Sequence, residues 1–159
     1  MLRFLRTRGH APPIERVVGR FSLAGEHGGI WLAIGACGAA VDAPRRGLWR
    51  RATGAVAGTY ALNTAIKLVV RRRRPSLPGL PALASTPTQL SFPSAHTATA
   101  FAGALGYARL GLPRAPLYAL AVATAVSRPY LGLHYPSDVL AGALLGGAVA
   151  AFAVPDGKR

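Results

Sequence analysis

The chain has 159 residues, enough for one domain, and 51% of them are apolar while only 15% are charged. It carries 19 Lys and Arg against 5 Asp and Glu, a net charge of +14, and a single cysteine. This composition excludes an intrachain disulfide framework and a cysteine-based zinc site, and it leaves two broad classes: a membrane protein beside anionic lipid, or a nucleic-acid-binding module.

The first 24 residues mix arginines with Leu, Phe, Ile and Val. The stretch after Pro13, IERVVGRFSLA, predicts an amphipathic helix that lies along a membrane interface. A frayed basic tail is the alternative for the same composition. Residues 1–24 are therefore interpreted as a basic interfacial segment.

Five apolar segments follow, at 28–41, 52–70, 94–112, 115–131 and 139–154. A helix that spans the hydrocarbon core needs about 20 residues, so the first and fifth segments need flanking residues to span. Buried helices of a soluble protein are the alternative for any single segment, but five of them leave little polar surface in so short a chain. The prediction is one all-α domain over 1–159, an integral membrane bundle of about five transmembrane helices.

Two of these segments carry glycines four residues apart, Gly54 with Gly58 and Gly142 with Gly146. Small residues at this spacing let helix backbones approach closely in lipid. Both pairs therefore permit tight helix packing.

Residues 75–93, PSLPGLPALASTPTQLSFP, contain five prolines and cannot form a regular helix. A long loop is predicted between the second and third segments. Because long loops in compact domains are often functional, we expect this Pro-rich loop to border the active site.

Polar residues interrupt the apolar pattern at one end of the predicted bundle. If successive helices cross the membrane in alternating directions, the second segment ends, the third begins, the fourth ends and the fifth begins on the same side. The polar side chains on that side are Lys67, Arg74, Ser94, His96, Arg128, His134 and Asp138. Since ionisable groups that border membrane spans are costly, this convergence predicts a functional site.

The residue types in this group indicate its chemistry. Lys67 and Arg74 are seven residues apart, which predicts that both project from one helix face, and Asp138 follows His134 by four, close enough to hold the imidazole. Three cations around one point imply a doubly charged anion, for which phosphate is the obvious candidate. Two histidines with a single carboxylate then indicate phosphoryl transfer without a metal: one histidine attacks phosphorus and the other protonates the leaving oxygen.

Three motifs in this region resemble a known signature. KLVVRRRRP (67–75) reads as K-x6-R-P, PSAH (93–96) is similar to P-S-G-H, and SRPYLGLHYPSD (127–138) reads as S-R-x5-H-x3-D. Together they resemble the type 2 phosphatidic acid phosphatase (PAP2) superfamily, in its membrane lipid phosphatase branch. The resemblance implies a helical membrane phosphatase that needs no metal or other cofactor.

The resemblance also implies a role for each matching residue. His134 would be the nucleophile that forms a phosphohistidine, Asp138 would fix its tautomer and stabilise the charged ring, and His96 would be the general acid. The residues that bind the phosphate oxygens would be Lys67, Arg74, Ser94, Ala95 through its N–H, and Arg128.

This sequence departs from the family pattern in two ways. Ala95 replaces the usual glycine, so a backbone that needed a positive φ there would be strained. Membrane members commonly have six spanning helices against the five predicted here, and the N-terminal basic segment would replace the first of them by lying along the interface.

Two groups of residues have more than one interpretation. Glu26 and His27 precede the first apolar segment and are either exposed loop residues or part of the headgroup pocket. Arg71–Arg73 either anchor the chain at the interface or recruit an anionic headgroup. The positive-inside rule leaves the orientation undecided, because the two sides carry eight basic residues each when Lys158 and Arg159 are counted on the far side. Family members that act on polyprenyl diphosphates face outward, which favours an extracytoplasmic active site.

The favoured hypothesis is hydrolysis of a polyprenyl-linked phosphate in cell-wall synthesis, either a decaprenylphosphoryl-5-phosphoribose or a polyprenyl diphosphate, with lipid and no nucleic acid as partner. The chain is similar in size and composition to small actinobacterial phosphatases that act on polyprenyl-phosphate sugars. Alternatives are a glycerolipid phosphatase acting on phosphatidic acid or phosphatidylglycerol phosphate, a nucleic-acid-binding module that uses residues 71–74, and a vanadate-dependent oxidase.

Overall fold

The computed structural model describes residues 2–156, and its regular structure over that range is helical. The helices are α1 (Leu2–Thr7), α2 (Pro12–Ala24), α3 (Gly29–Val41), α4 (Arg46–Val70), α5 (Ala95–Arg109), α6 (Arg114–Tyr130) and α7 (Pro136–Ala153), with 3-10 turns at Glu26–Gly28 and Ala43–Arg45. The prediction of an all-α fold is confirmed, and α3 to α7 overlap the five apolar segments. Lys158 and Arg159, counted above for orientation, lie outside the described residues.

Helix α5 occupies the centre of the bundle and packs against α4, α6 and α7. Most of its residues are buried, and they are mainly Ala, Gly and Thr, whose small side chains let three helices surround one. On α7, Gly142 and Gly146 lie against the α5 backbone: a Cβ atom added at Gly142 would stand 2.6 Å from the carbonyl oxygen of Ser94. Gly142 and Gly146 therefore allow α7 to pack closely against α5, as their spacing permits.

The other glycine pair does not mediate helix packing. A Cβ atom at Gly54 or Gly58 would meet no atom within 4 Å. The packed face of α4 instead carries Ala52, Val56 and Asn63, so the two glycines lie on its outward face. The spacing of Gly54 and Gly58 permits close packing that the described residues do not use, because a glycine spacing does not say which helix face meets a neighbour.

The N-terminal segment packs on the bundle through α6, so it is not a frayed tail over the described residues. Arg6 is 4% exposed and donates hydrogen bonds to the carbonyl oxygens of Tyr130 at 3.0 Å and Pro81 at 2.5 Å. The ring of His10 stacks on Tyr130 with centroids 4.1 Å apart, and its Nδ1 lies 2.9 Å from the Glu15 carboxylate. One buried guanidinium thus joins α1, the end of α6 and the Pro-rich loop.

The segment between α4 and α5 has no helix, as its prolines predict. Arg71 ends α4 in a left-handed conformation (φ 52°), and the chain then runs extended. Backbone hydrogen bonds from Arg74 N to Gln89 O (3.1 Å) and from Ser91 N to Arg72 O (2.8 Å) fold the segment back on itself. The loop therefore returns to the same end of the bundle from which it departs.

Candidate active site

A cavity of about 120 Å³ lies where the ends of α4, α5 and α6 meet the Pro-rich loop and the turn before α7. Six of the predicted site residues line it: Lys67, Arg74, Ala95, His96, Arg128 and His134. Ser94 and Asp138 are fully buried (0% exposed) and do not line it. Glu26 and His27 also line the wall, so of their two interpretations the structure supports the pocket.

His134 is held between Arg74 and Asp138. Its Nδ1 lies 3.5 Å from Oδ2 of Asp138, and its Nε2 lies 3.1 Å from Nη1 of Arg74. Arg74 can only donate, so Nε2 accepts and its lone pair is free of a proton, which assigns the ring proton to Nδ1, facing the carboxylate. In this tautomer Nε2 is the nitrogen that can attack a phosphorus atom in the cavity.

The environment of His134 favours its neutral form. Burial lowers the pKa of His134 to about 4, the charges of Arg74 and Lys67 act in the same direction, and the adjacent carboxylate of Asp138 opposes them. Because an imidazole attacks only when it is unprotonated, His134 is in its nucleophilic form at neutral pH.

Arg128 and Lys67 both line the cavity, but their side chains differ in their hydrogen-bond partners. Arg128 is 1% exposed, and among the described residues its side chain has one hydrogen-bond partner, the Oγ of Ser127, at 3.1 Å from Nε and 3.0 Å from Nη2. Its remaining N–H groups are free for an anion. Lys67 Nζ instead donates to the carbonyl oxygens of Leu90 (3.3 Å), Ser91 (3.2 Å) and Pro93 (2.7 Å), so it contributes charge while it holds the loop.

The α5 N-terminus borders the cavity. Ser94 is the N-cap residue: its Oγ accepts from Thr97 N at 3.4 Å and from Thr97 Oγ1 at 3.1 Å, and it points into the protein. The first helical N–H groups, at Ala95 and His96, have no intrahelical acceptor and form an anion-binding helix terminus. Ala95 is helical and is not among the positive-φ residues, so the strain considered for this alanine does not arise.

Arg72 is the site residue that sequence reasoning missed. Its Nη1 donates to Oδ1 of Asp138 at 3.0 Å and to Oγ of Ser137 at 2.9 Å, and its guanidinium stacks over the ring of Tyr135 at 4.1 Å. Oδ2 of Asp138 accepts from Tyr135 N at 2.9 Å, so both carboxylate oxygens are fixed. Neither interpretation of Arg72, as an interfacial anchor or as a headgroup ligand, includes this contact with Asp138.

The helical spacing assigned to Lys67 and Arg74 is also wrong. Only Lys67 lies on α4, because Arg71 ends the helix and Arg74 lies in the extended segment. Alternate residues of an extended chain share one side, which puts Arg72 and Arg74 together on Asp138 and His134. The sequence signal that could have identified Arg72 is its spacing of two residues from Arg74, which puts both side chains on one side of an extended chain.

Comparison with known proteins identifies relatives. A model of the PAP2 superfamily matches residues 49–158. A decaprenylphosphoryl-5-phosphoribose phosphatase from Mycolicibacterium smegmatis is 41% identical over 119 residues, which are 74% of this chain and 65% of the relative. The protein of the same name from Mycobacterium tuberculosis is 42% identical over 128 residues, 80% of this chain and 71% of the relative.

Two crystal structures share the fold. Aquifex aeolicus LpxE superposes with a TM-score of 0.81 at 24% identity, covering 96% of this chain and 91% of the other. The first transmembrane PAP2 type phosphatidylglycerolphosphate phosphatase from Bacillus subtilis gives a TM-score of 0.79 at 22% identity, covering 96% and 80%. At these identities the likeness establishes the helical architecture.

Proposed function

The chain belongs to the PAP2 superfamily, and from this premise we propose that it is an integral membrane lipid phosphatase that hydrolyses a polyprenyl-linked phosphate ester through a phosphohistidine. The observation that carries the proposal is His134, buried, held by Asp138 and lining one cavity with His96 and three cationic side chains. Of the substrates considered, decaprenylphosphoryl-5-phosphoribose is favoured, because the two mycobacterial relatives above carry that name.

The apolar surface supports a membrane location. Pro136–Ala153 is the one helix of residues 2–156 that meets both the length and the hydropathy of a membrane span. The outward faces of α4 and α7 carry large exposed apolar side chains, among them Val69 (82% exposed), Leu144 (66%) and Phe152 (93%). We infer that α3 to α7 all cross the bilayer, the shorter ones with flanking residues, and that α2 lies along the interface. We further propose that the active site faces the extracytoplasmic side, as in family members that act on polyprenyl diphosphates.

In the first step Nε2 of His134 attacks phosphorus and the bond to the leaving oxygen breaks. His96 donates its proton to that oxygen, so the lipid leaves as an alcohol and the phosphoryl group stays on His134. In the second step a water molecule gives a proton to His96 and attacks phosphorus, which releases phosphate and restores the imidazole. Arg74, Arg128, the charge of Lys67 and the α5 N-terminus stabilise the charge on the phosphoryl oxygens.

The proposal is tested by phosphate release from purified protein in detergent across decaprenylphosphoryl-5-phosphoribose, decaprenyl diphosphate and phosphatidic acid. We expect the highest kcat/KM for a polyprenyl-linked substrate. A preference for phosphatidic acid would favour the glycerolipid alternative. A protein that extracts without detergent, binds DNA with steep salt dependence and releases no phosphate would favour the nucleic-acid alternative.

Phosphate release is expected to be unchanged by EDTA. The nucleophile and the charges assigned to this reaction are all side chains of the protein, so no step requires a divalent cation. Activity is measured before and after dialysis against EDTA, with and without added magnesium. Activity that is lost to the chelator and restored by magnesium would contradict the mechanism.

Arg72→Gln is expected to lower kcat by about ten- to a hundredfold with little change in KM, because the charge-assisted hydrogen bond that fixes Asp138 is lost. Arg72→Lys should recover part of kcat, whereas a role in lipid anchoring would change KM. Arg73→Gln, the exposed neighbour, is the matched control and should keep wild-type kinetics. Equal losses in both Gln variants would assign the effect to membrane charge.

A further inference from the structure

Two further cavities continue from the candidate active site along α2. The cavity of about 120 Å³ shares Glu26, His96 and Arg128 with a second cavity of about 230 Å³. The second shares Gly19 and Leu83 with an open groove of about 410 Å³ on the surface of α2. Because each cavity shares wall residues with the next, the three lie side by side in a row, called here the α2 path, from the phosphate-binding residues to the surface of α2.

His96 faces the α2 path. It lines both inner cavities. A Cβ atom at Gly25 would stand 3.6 Å from Cδ2 of His96. Since the general acid must reach the leaving oxygen, the leaving group departs on the α2 side of the phosphorus.

Charged side chains of both signs line the α2 path. Its inner end has the cations Arg74 and Arg128, and Glu26 is the one acidic side chain of the described residues that lines either inner cavity. Its outer end has Arg16 and Arg20, four residues apart on one face of α2. Glu15 also lines the outer groove, but its carboxylate is already paired with His10.

A carboxylate among cations is unfavourable for a phosphate but suited to hydroxyl groups, from which it can only accept hydrogen bonds. Arginines bind phosphate oxygens. The α2 path thus has Glu26 together with cations where the two inner cavities meet, and a second pair of cations at the outer groove. These groups suit a phosphate and a polyol at the inner end and a second phosphate at the outer end. Val17 (67% exposed), next to Arg16 on α2, and Leu23 (65% exposed), on the wall of the second cavity, offer apolar surface for a lipid tail.

Resting on the proposed function, we propose that the α2 path is the leaving-group subsite, in which Glu26 binds sugar hydroxyls and Arg16 with Arg20 binds a second phosphate. The subsite selects a lipid-linked sugar that carries both a phosphomonoester and a phosphodiester. It also discriminates against diphosphates, because their second phosphate would lie directly beside Glu26 and be repelled.

The test compares three substrates, decaprenylphosphoryl-5-phosphoribose, decaprenyl diphosphate and phosphatidic acid, with two variants. Arg16→Gln combined with Arg20→Gln should raise KM for the phosphoribose by about tenfold and leave phosphatidic acid within about twofold. Glu26→Gln should lower kcat/KM for the phosphoribose and raise it for the diphosphate. The matched control is Arg3→Gln combined with Arg8→Gln, which removes the same charge from α1 and its C-terminal flank, outside the α2 path.

Equal losses on all three substrates, or the same effect in the control pair, would overturn the subsite. If the wild type hydrolyses the phosphoribose and both variants show the same ratios of kcat/KM among the three substrates as the wild type, the subsite is overturned and the proposed function stays intact. A wild type that hydrolyses no polyprenyl-linked substrate would overturn both.

Discussion

His134→Ala is expected to reduce phosphate release by about four orders of magnitude or more, the loss typical of removing a catalytic nucleophile. Without Nε2 of His134 the proposed covalent step is lost, and water must attack phosphorus directly. The measurement is kcat with the preferred lipid substrate. A second readout is the phosphoenzyme: wild type incubated with radiolabelled substrate and quenched in alkaline detergent should retain label that is lost in acid, and the variant should retain none.

The control for His134→Ala is His10→Ala, which removes an imidazole that stacks on Tyr130 outside the cavity. Both variants are compared with wild type by thermal unfolding and by size-exclusion profile in detergent. A His134→Ala protein that stays folded and retains a tenth of wild-type activity would rule out His134 as the nucleophile. Label that persists in this variant would assign the covalent step to another residue.

Asp138→Asn is expected to lower kcat by about two to four orders of magnitude with little change in KM. An amide presents an N–H to Nδ1 of His134, which favours the tautomer that carries its proton on Nε2. The attacking lone pair is then lost, although the shape of the site is kept. The measurement is kcat and KM for the preferred substrate, because a tautomer effect acts on turnover and a packing effect would act on both.

Asp42→Asn is the matched control for this variant. Asp42 accepts hydrogen bonds from Trp49 and Arg45 at a turn that does not line the active-site cavity. Its replacement should reduce thermal stability and leave kcat unchanged. Turnover of Asp138→Asn within about fivefold of wild type would contradict a tautomer role, since tautomer loss in a catalytic triad costs far more than that.

Much of the site could be predicted because its residues carry their chemistry in their identity. The site combines two histidines, three cations and a carboxylate at one predicted level of the bundle. This set of groups indicates phosphoryl transfer whatever the exact backbone conformation. The position of these residues at one side of the membrane follows from counting apolar segments. Successive helices cross in opposite directions, so the end of one helix and the start of the next lie on the same side. His96, Arg128 and His134 therefore line one cavity although they come from distant stretches.

Other features could not be predicted, because they depend on where a helix stops. Arg71 ends α4 three residues before Arg74, so the pairing of Arg72 with Asp138 follows an extended period rather than a helical one. A run of four arginines contains no signal for the residue at which the helix breaks. Ser94 shows the same limit: the motif predicts its hydroxyl on the phosphate, but Ser94 is the N-cap of α5 and its hydroxyl accepts hydrogen bonds from Thr97.

By itself the sequence determined the helical class, the family and the chemical groups of the site, since apolar length and residue type are local properties of the chain. Only the tertiary structure decided which glycine pair packs, that Arg72 holds Asp138, and that Glu26 lines the two inner cavities together with Arg128. These are contacts between segments distant in sequence, and they depend on the rotation of each helix about its axis and on the residue where it ends. Close packing sets both, because each small residue must face the neighbour that approaches it.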